Sequence, residues 1–374
     1  MSKRPWLVFV GLALFILIIG LACSVGGTSS TVESVATDAP KSLPTAESKP
    51  TSEPKQTLPT QSSAPAGAAA PFEMDTAVYT HPSGAFSFNP PVGWTSEEGT
   101  SGVVFTSPDG VGKLDFSVTN TGEKLDSTAL EAFVKATEAN YFGTFTNYTE
   151  DKYSFDPDTN SALVAKSLTS DSGDQKVFTF YLQDGQGVYS FDFWASADVA
   201  SDYKDAYANL LGTITTDGKV AADLPIYSFI TTFTDKNNLF QFEVPLAWTY
   251  SYDEATNIYS DSFTSPDGHS IINNITYDDG TATSKSQAGA LALTILNQVF
   301  SNGANDIKIN SDKVQADGSE RLTWTSRSGG YSGQTFFETR GTTFLMLNWL
   351  VDKGYEEMFG PVFDNTLSTY SIPQ

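Results

Sequence analysis

Apolar residues recur at near-helical spacing in two widely separated segments, residues 127–142 and 284–300. The positions are Leu130, Phe133, Val134 and Tyr141 in the first segment and Leu291, Ile295, Leu296 and Val299 in the second. This spacing predicts an amphipathic helix in each segment. A further helix is predicted after each of them, over residues 202–211 and 355–367.

Alternating or continuous apolar runs between these helices predict strands. They cover residues 177–182 and 188–194 in the first half, and residues 334–338 and 343–351 in the second. The glycine-containing segments 184–187 and 339–341 separate the members of each pair and are typical of hairpin turns. The order of strands, helix, strands and helix favours an α+β class with helices packed on an antiparallel sheet.

The same succession of residues occurs twice. Residues 79–88 align without gaps on residues 233–242, and the pattern Phe-x-Phe-x-x-Pro-x-x-Trp continues from each. Its members are Phe86, Phe88, Pro91 and Trp94 in the first copy and Phe240, Phe242, Pro245 and Trp248 in the second. The hexapeptide Phe-Thr-Ser-Pro-Asp-Gly follows both times, with Phe105, Pro108 and Gly110 in one copy and Phe263, Pro266 and Gly268 in the other. Two such matches in the same order indicate a duplicated domain.

This opening, followed by an amphipathic helix, resembles the PsbP-like family, which includes the extrinsic lumenal subunit of photosystem II and many bacterial lipoproteins. The resemblance implies two tandem α/β/α sandwich domains, each around a central antiparallel sheet, and implies no enzymatic activity. We expect domain 1 over residues 72–217, a linker over 218–225 and domain 2 over 226–374. The photosynthetic role of the family requires partners that nothing in this sequence reveals.

The motif residues are interpreted as scaffold. Phe86 and Phe88 share one face of a strand, Pro91 ends that strand, and Trp94 should seal the sheet against a helix. Ser-Pro-Asp-Gly is a turn, because proline sets φ at its second position and Asp-Gly supplies the reversal. The alternative is an aromatic surface for sugar or peptide. His81 aligns with Asp235, which suggests a surface position tolerant of either residue.

The N-terminus has the order of an export signal: Lys3 and Arg4 precede an apolar run over residues 6–22. The run ends in Gly-Leu-Ala-Cys, which resembles a bacterial lipobox and implies that Cys23 is the lipid-attachment site. A retained membrane helix is the alternative, and either anchor places the body outside the cytoplasm. Residues 23–71 are rich in Ser, Thr, Pro and Ala and are predicted to form a disordered tether from residue 23 onward.

Composition narrows the chemistry further. The chain carries 44 acidic and 21 basic residues, a net charge of −23, which disfavours nucleic acid as a partner. Cys23 is the only cysteine, so disulfides and cysteine-ligated metals are excluded. No nucleophile stands beside a histidine base, and residues 156–160 begin like a calcium loop but lack its later ligands. We therefore predict no catalytic residues, no cofactor and no metal.

The leading hypothesis is a non-catalytic, extracytoplasmic binding or scaffolding lipoprotein, anchored to the bacterial cell membrane. Its two domains would dock a protein or a small-molecule ligand whose identity the sequence does not give. The first alternative is a carboxylate-dependent glycan hydrolase, which requires two acids facing one cleft with one raised pKa. The second alternative is a structural surface spacer, which predicts that no pocket and no apolar patch remains once the two domains pack.

Overall fold

The computed structural model describes residues 72–300, 307–315, 318–327 and 330–372. The predicted signal peptide of residues 1–22, Cys23 and the tether of residues 23–71 lie outside the described residues. Within the described part of the chain, no helix is both long enough and apolar enough to cross a bilayer.

Domain 1 contains, in chain order, β1 (Tyr79–Thr80), β2 (Phe86–Phe88), β3 (Thr95–Glu98), β4 (Gly102–Thr106), β5 (Gly112–Asn120), α1 (Ser127–Asn140), a 3-10 turn (Phe142–Thr144), β6 (Thr146–Asp156), β7 (Ser161–Ser170), β8 (Gly173–Asp184), β9 (Gly187–Ser196), α2 (Ala200–Leu211), β10 (Thr215–Thr216) and α3 (Gly218–Ala221). Strands β3 to β9 form a seven-stranded antiparallel sheet in the order β3-β4-β5-β9-β8-β7-β6. Strands β1, β2 and β10 form a small separate sheet.

Domain 2 contains β11 (Ile230–Thr234), β12 (Gln241–Pro245), β13 (Thr249–Ala255), β14 (Ile258–Thr264), β15 (Ser270–Asp278), α4 (Lys285–Val299), β16 (Ile307–Val314), β17 (Glu320–Ser326), β18 (Tyr331–Arg340), β19 (Thr343–Asp352) and α5 (Glu356–Thr369). Its seven-stranded sheet has the order β13-β14-β15-β19-β18-β17-β16, which repeats the topology of domain 1 strand for strand. The two separate sheets confirm the duplicated α+β fold that the sequence predicted.

Each sheet is covered on both faces, so each domain is an α/β/α sandwich. In domain 1, α1 packs on the face that carries Val164 and Tyr181, while α2 and the small sheet pack on the face of Phe116 and Phe191. In domain 2, α4 and α5 take the corresponding places. The four faces are named below after these helices, as the α1, α2, α4 and α5 faces.

The local rules that predicted the elements hold in detail. Helix α1 starts at the N-cap Asp126, whose carboxylate accepts the Ala129 N–H at 2.9 Å, and α4 starts at Ser284 with a capping box. Strands β8 and β9 meet in a two-residue loop after Asp184 that contains Gly185 at φ 58°. This left-handed conformation is the one that glycine adopts without strain.

The duplicated motifs lie in strands and turns. Phe86 and Phe88 are buried on one face of β2. In each Ser-Pro-Asp-Gly turn the glycine N–H donates to the serine carbonyl at 2.9 Å, from Gly110 to Ser107 and from Gly268 to Ser265. The aspartate accepts the serine hydroxyl in both copies. Identical sequence therefore builds an identical turn.

The two motif tryptophans differ in burial. Trp248 is completely buried and packs edge-on against Phe359 of α5, between a sheet and a helix. Trp94 is half-buried and packs against Phe72 instead, with its ring close to Gly112. The same residue type at the same motif position therefore has a different neighbour in each domain.

The prediction that His81 and Asp235 occupy a surface position is wrong: their exposed fractions are 1% and 3%. Both side chains accept backbone N–H groups of the tight turn that follows β1 or β11. His81 Nδ1 accepts from Ser83 N at 3.2 Å, and Asp235 Oδ2 accepts from Asn237 N at 2.8 Å. Either residue serves here because each offers an acceptor at the same place, not because the site is exposed.

The two domains share one apolar cluster. Side chains of α1, including Leu130 and Phe133, belong to the same cluster as Trp248 and Phe242 of domain 2. The Asn140 amide at the end of α1 donates to the carbonyls of Leu246 at 2.7 Å and Trp248 at 2.9 Å. Helix α3, in the segment expected to be a linker, packs on domain 1 through Val220 and Ala221.

Candidate functional site

Because the two domains share one topology, every position in one sheet has an equivalent in the other. Equivalent positions are fixed by the pairing ladders: Thr179 lies opposite Asp192, as Thr335 lies opposite Asn348. Polar residues that stand in one domain where the other has an apolar side chain are candidates for function. Among the described residues we consider two such places, one on the α1 face and one on the α5 face.

The α1 face buries a charged cluster. Lys166 of β7 is completely buried, and its ammonium donates to both carboxylate oxygens of Glu138 on α1, at 2.5 and 2.7 Å. The Tyr181 hydroxyl donates to the same carboxylate at 2.8 Å, and the ammonium lies 3.2 Å from the centre of the Phe142 ring. Burial lowers the pKa of Lys166, and Glu138 opposes this effect.

Asp192 and Asp115 extend this cluster. They are direct cross-strand partners on β9 and β5, an arrangement that holds side chains within about 5 Å of each other. Burial raises the pKa of Asp192 to about 7, Lys166 opposes the rise and Asp115 adds to it. Asp192 is only 8% exposed, which keeps a bulky substrate away from its carboxylate.

Domain 2 has neutral residues at all of these positions. Trp324 occupies the position equivalent to Lys166, and Leu296 the position equivalent to Glu138. Asn348 and Asn273 occupy the positions of Asp192 and Asp115. A hydrogen-bond chain joins them: Trp324 Nε1 donates to Thr335 Oγ1 at 2.9 Å, and Thr335 Oγ1 donates to Asn348 Oδ1 at 2.8 Å. The α4 face is therefore a satisfied, uncharged version of the α1 face, which indicates a structural role for the cluster in domain 1.

The α5 face shows the opposite contrast. Asp261, Asn274 and Thr276 are buried there on β14 and β15. The equivalent residues of domain 1 are Val103, Phe116 and Val118, all buried and apolar. Domain 2 has thus replaced hydrophobic core by polar groups, a change that costs stability unless each group finds a partner.

Several of these polar groups lack a partner among the described residues. The Tyr250 hydroxyl donates to Asp261 Oδ1 at 2.8 Å and the Tyr370 hydroxyl to Asn274 Oδ1 at 3.2 Å. Asp261 Oδ2 and Asn274 Nδ2 are without a hydrogen bond, whereas Thr276 and Asp235 both lie against the Tyr259 hydroxyl. Whichever way the Asn274 amide is turned, one of its polar atoms stays unpartnered. Each such atom costs about 1–3 kcal/mol in a dry interior.

The buried polar groups of the α5 face also have shifted pKa values. Burial raises the pKa of Asp261 to about 6; the Tyr250 hydrogen bond opposes the rise and the nearby carboxylate of Asp235 adds to it. Burial also raises the pKa of Tyr259, the cross-strand partner of Thr276, to about 12, and Thr276 and Asp235 both act on its hydroxyl. The group therefore consists of two carboxylates and several hydroxyls in one place.

A cavity of about 410 Å³ adjoins this polar group. It is lined by Gln315, Ser319, Phe336, Phe337, Glu338, Leu345, Leu347, Leu367 and Tyr370. Leu347 and Leu345 are the direct cross-strand partners of Asn274 and Thr276, and Tyr370 both lines the cavity and bonds to Asn274. Tyr370 is the residue that touches both, while Asp261, Asn274, Thr276 and Asp235 do not line the cavity itself. We call the cavity and the neighbouring polar group together the α5-face site.

The corresponding volume in domain 1 is filled. Tyr189 and Phe191, the equivalents of Leu345 and Leu347, form one apolar cluster with Val220 and Ala221 of α3. A Cβ placed on Gly187 would lie 2.8 Å from Ala221 Cβ, which shows how closely α3 covers this end of the sheet. The cavity is therefore a feature of domain 2 and not of the shared fold.

A second cavity of about 700 Å³ lies at the junction of the domains. Asn120 and Gly122 of domain 1 and Tyr227, Pro361 and Asn365 of domain 2 are among its lining residues. The Asn120 amide is used within the junction itself, donating to the carbonyls of Ala222 and Leu224. The buried hydroxyl of Tyr227 is without a hydrogen-bond partner among the described residues.

Other residues considered from sequence do not assemble a site. Asp156 and Asn160 belong to the tight turn between β6 and β7, where Asp156 Oδ1 accepts the Asp158 N–H at 2.9 Å. The ring of His269 stacks on Tyr355. Its Nδ1 atom is hydrogen-bonded to Asp352 Oδ2 at 3.0 Å. In the described ranges, no three His, Cys, Asp or Glu side chains stand together as metal ligands.

Fold and site define a tandem pair of α/β/α sandwiches in which the second carries a small polar-ended cavity. The two seven-stranded sheets of one topology fit the tandem arrangement expected from the repeat. No protein-family model and no curated protein matches the chain.

Solved structures show similarity of shape at low sequence identity. The solution structure of cyanobacterial PsbP (CyanoP) from Synechocystis sp. PCC 6803 is 10% identical with a TM-score of 0.32, over 39% of this chain and 94% of that chain. The apo structure of the immunity protein TplEi of T6SS from Pseudomonas aeruginosa is 12% identical with a TM-score of 0.22, over 75% of this chain and 97% of that chain. These matches describe shape and assign no function to this chain.

Proposed function

We propose that this protein is a non-catalytic, extracytoplasmic binding protein, anchored to the membrane through Cys23, whose domain 2 holds a small organic ligand in the α5-face site. The observation that carries the proposal is the cavity of about 410 Å³ next to a buried polar group in which Asp261 Oδ2 and Asn274 Nδ2 have no hydrogen bond. A concave, mostly apolar site with a few convergent polar groups is the usual form of a small-molecule site.

The duplicated fold supplies the comparison that supports this reading. In domain 1 the same sheet carries the apolar residues Val103, Phe116 and Val118 at these positions, so the fold itself does not require polar residues there. Positions where one copy departs from the packing rule at a cost in stability are expected at functional sites. A structural spacer gives no reason for such a departure.

Native mass spectrometry of the full chain, purified in mild detergent from its own host membranes, tests the proposal. We expect a bound small molecule on the wild type and its loss in the double variant Leu345→Tyr/Leu347→Phe, which copies Tyr189 and Phe191 of domain 1. Leu293→Phe, on the exposed side of α4, is the matched control and should retain the ligand. An equal adduct on all three proteins, or on none, contradicts a ligand in this site.

The same measurement tests the anchor. We expect the mature chain to begin at Cys23 and to carry the mass of attached lipid, which would need two or more acyl chains for stable anchoring. A chain that begins at Met1 without lipid would rule out the lipoprotein proposal and leave the retained helix.

A second candidate, the carboxylate-dependent glycan hydrolase, is favoured by one observation. Asp192 and Asp115 are paired across two strands and the pKa of Asp192 is raised to about 7. A glycan must reach both acids, whereas Asp192 is only 8% exposed. Release of reducing ends from cell-wall glycans by the wild type, lost in Asp192→Asn, would establish this function over the binding proposal.

A further inference from the structure

Two cations lie side by side where β16 and β17 border the cavity of domain 2. Arg321 on β17 and Lys313 on β16 are direct cross-strand partners, and we call them the cation pair. Like charges directly opposite each other destabilise a sheet. The chain has 44 acidic residues, yet among the described residues no carboxylate forms a salt bridge with either cation. The pair therefore leaves its positive charge uncompensated.

Arg321 lies at the rim of the cavity and not in its lining. Ser319, two residues before it in the chain, lines the cavity, and so does its cross-strand partner Phe336. The guanidinium carbon of Arg321 lies 5.3 Å from the centre of the Phe336 ring. One Nη atom donates to Gln334 Oε1, and no other hydrogen bond joins the guanidinium to a described residue. Most of its five N–H donors therefore remain unused beside the cavity.

Domain 1 carries no charge at the positions of the cation pair. The pairing ladders make Leu163 the equivalent of Arg321 and Ser154 the equivalent of Lys313. All three arginines of the two domains belong to domain 2. The shared fold therefore does not require these cations, and they occur in the domain that has the cavity.

We propose that the α5-face site binds a small apolar molecule that ends in a carboxylate, with the apolar part in the cavity and the carboxylate at its rim against Arg321 and Lys313. This inference rests on the proposed function and assigns the chemical class of its ligand. A planar guanidinium can donate two parallel hydrogen bonds to one carboxylate. Lys313 is exposed beside it and adds a second positive charge, and the bound anion relieves the repulsion within the pair.

The negative groups of domain 2 fix the orientation of such a ligand. Asp261 and Asp235 are buried in the polar group and repel an anion from that end of the site. Glu338 lines the cavity, but Arg340 Nε lies 3.4 Å from its carboxylate and offsets its charge. A carboxylate is therefore favoured at the cation pair, which would in turn repel an amine. A neutral alcohol would gain no charge interaction there.

Isothermal titration calorimetry on the full chain in mild detergent tests this class with three probes of one shape: 4-phenylbutyrate, 4-phenylbutan-1-ol and 4-phenylbutylamine. At pH 7.5 the first is an anion, the second is neutral and the third is a cation. We expect the acid to bind about tenfold more tightly than the alcohol, which is the scale of one charge-assisted contact. The amine should bind more weakly than the alcohol.

Variants of the cation pair locate the carboxylate. Arg321→Gln should weaken binding of the acid about tenfold and leave the alcohol unchanged, because it removes the charge and the planar fork. Lys313→Gln should weaken the acid by only about two- to threefold, because an exposed charge is screened by water and salt. The matched control is Arg327→Gln, an exposed arginine roughly 20 Å farther along the chain direction of β17, which should change neither affinity.

Equal affinity for the three probes, tightest binding of the amine, or an unchanged affinity for the acid in Arg321→Gln overturns the carboxylate proposal. If the probes bind equally and Leu345→Tyr/Leu347→Phe abolishes binding, the proposed function stands and only the ligand class is wrong. If no probe binds, the ligand found by native mass spectrometry decides: an acid that is lost in Arg321→Gln supports the inference, and a neutral or basic molecule overturns it. Absence of both probe binding and a native ligand overturns the inference together with the proposed function.

Discussion

At the scale of single residues, the sharpest contrast is between Lys166 and its equivalent Trp324. A completely buried lysine is tolerated because both oxygens of Glu138 accept from it. A buried ion pair contributes little beyond the cost of removing its charges from water, yet losing one member leaves the other unpaired. Domain 2 avoids that risk with Trp324 and Leu296.

Lys166→Met should therefore destabilise the protein by about 3–5 kcal/mol, because the carboxylate of Glu138 is left buried without its cation. The double variant Lys166→Met/Glu138→Leu should recover most of this loss, since it restores the uncharged chemistry of the α4 face. Urea unfolding followed by tryptophan fluorescence gives both free energies of unfolding. A double variant as unstable as the single one would show that the pair itself stabilises domain 1.

Asp192 provides a second test at this scale. With a pKa of about 7 in the folded protein against an ordinary value of 3.8, the folded state binds a proton that the unfolded state has released between these values. The free energy of unfolding contributed by this group is therefore greatest below about pH 4 and falls as the pH rises to about 7.

Asp192→Asn, which copies Asn348, should stabilise the protein by about 1–3 kcal/mol at pH 8 and make little difference at pH 4. Thermal unfolding of wild type and variant across this range measures the difference. A constant difference at all pH values would mean that Asp192 titrates normally in the folded protein.

At the scale of elements, side chains on neighbouring strands depend on each other. Trp324 on β17 lies directly opposite Gly333 on β18, and a Cβ on Gly333 would come within 2.4 Å of the indole ring. Domain 1 pairs Lys166 with Val177 at the same position. A tryptophan and a glycine in one domain thus replace a lysine and a valine in the other.

Gly333→Ala should accordingly cost about 1–3 kcal/mol, the usual range for overpacking a core. The matched control is Gly360→Ala within α5, where nothing lies within 4 Å of the new methyl group and alanine favours helix by about 1 kcal/mol. Chemical denaturation of both variants provides the comparison. A neutral Gly333→Ala would show that the Trp324 side chain can move out of its position.

The sequence predicted the elements well, because their signals are local. Spacing at 127–142 and 284–300 gave the two amphipathic helices, and the Ser-Pro-Asp-Gly turns followed from proline and glycine conformations. The sequence did not reveal Asp261, Asn274 and Thr276, because polar residues in a strand are usually read as its exposed face. Aligning them with Val103, Phe116 and Val118 of the first copy is the signal that could have found them.

At the scale of the whole molecule, the shared cluster makes the two domains one cooperative unit. Helix α1 contributes Leu130 and Phe133 to the same cluster as Trp248, so exposing either domain exposes apolar surface of both. Interfaces of this apolar kind couple the unfolding of the parts that they join.

We expect a single calorimetric unfolding transition for the full chain. Asn140→Ala, which leaves the carbonyls of Leu246 and Trp248 without their shared donor, should lower the free energy of unfolding by about 1–3 kcal/mol. The control Asn209→Ala, exposed on α2, should change it by less than about 0.5 kcal/mol. Two separate transitions in the wild type would show that the domains unfold independently.

The sequence by itself determined the duplication, the α+β class and the turns, because repeated motifs and local spacing are properties of neighbouring residues. Its expectations for Cys23 and the tether stay predictions. Tertiary structure decided that His81 and Asp235 are buried, that α1 joins the domains, and that one sheet face of domain 2 keeps polar groups beside a cavity. These features depend on which side chains meet across strands and layers, and residues distant in sequence settle that only when the chain has folded.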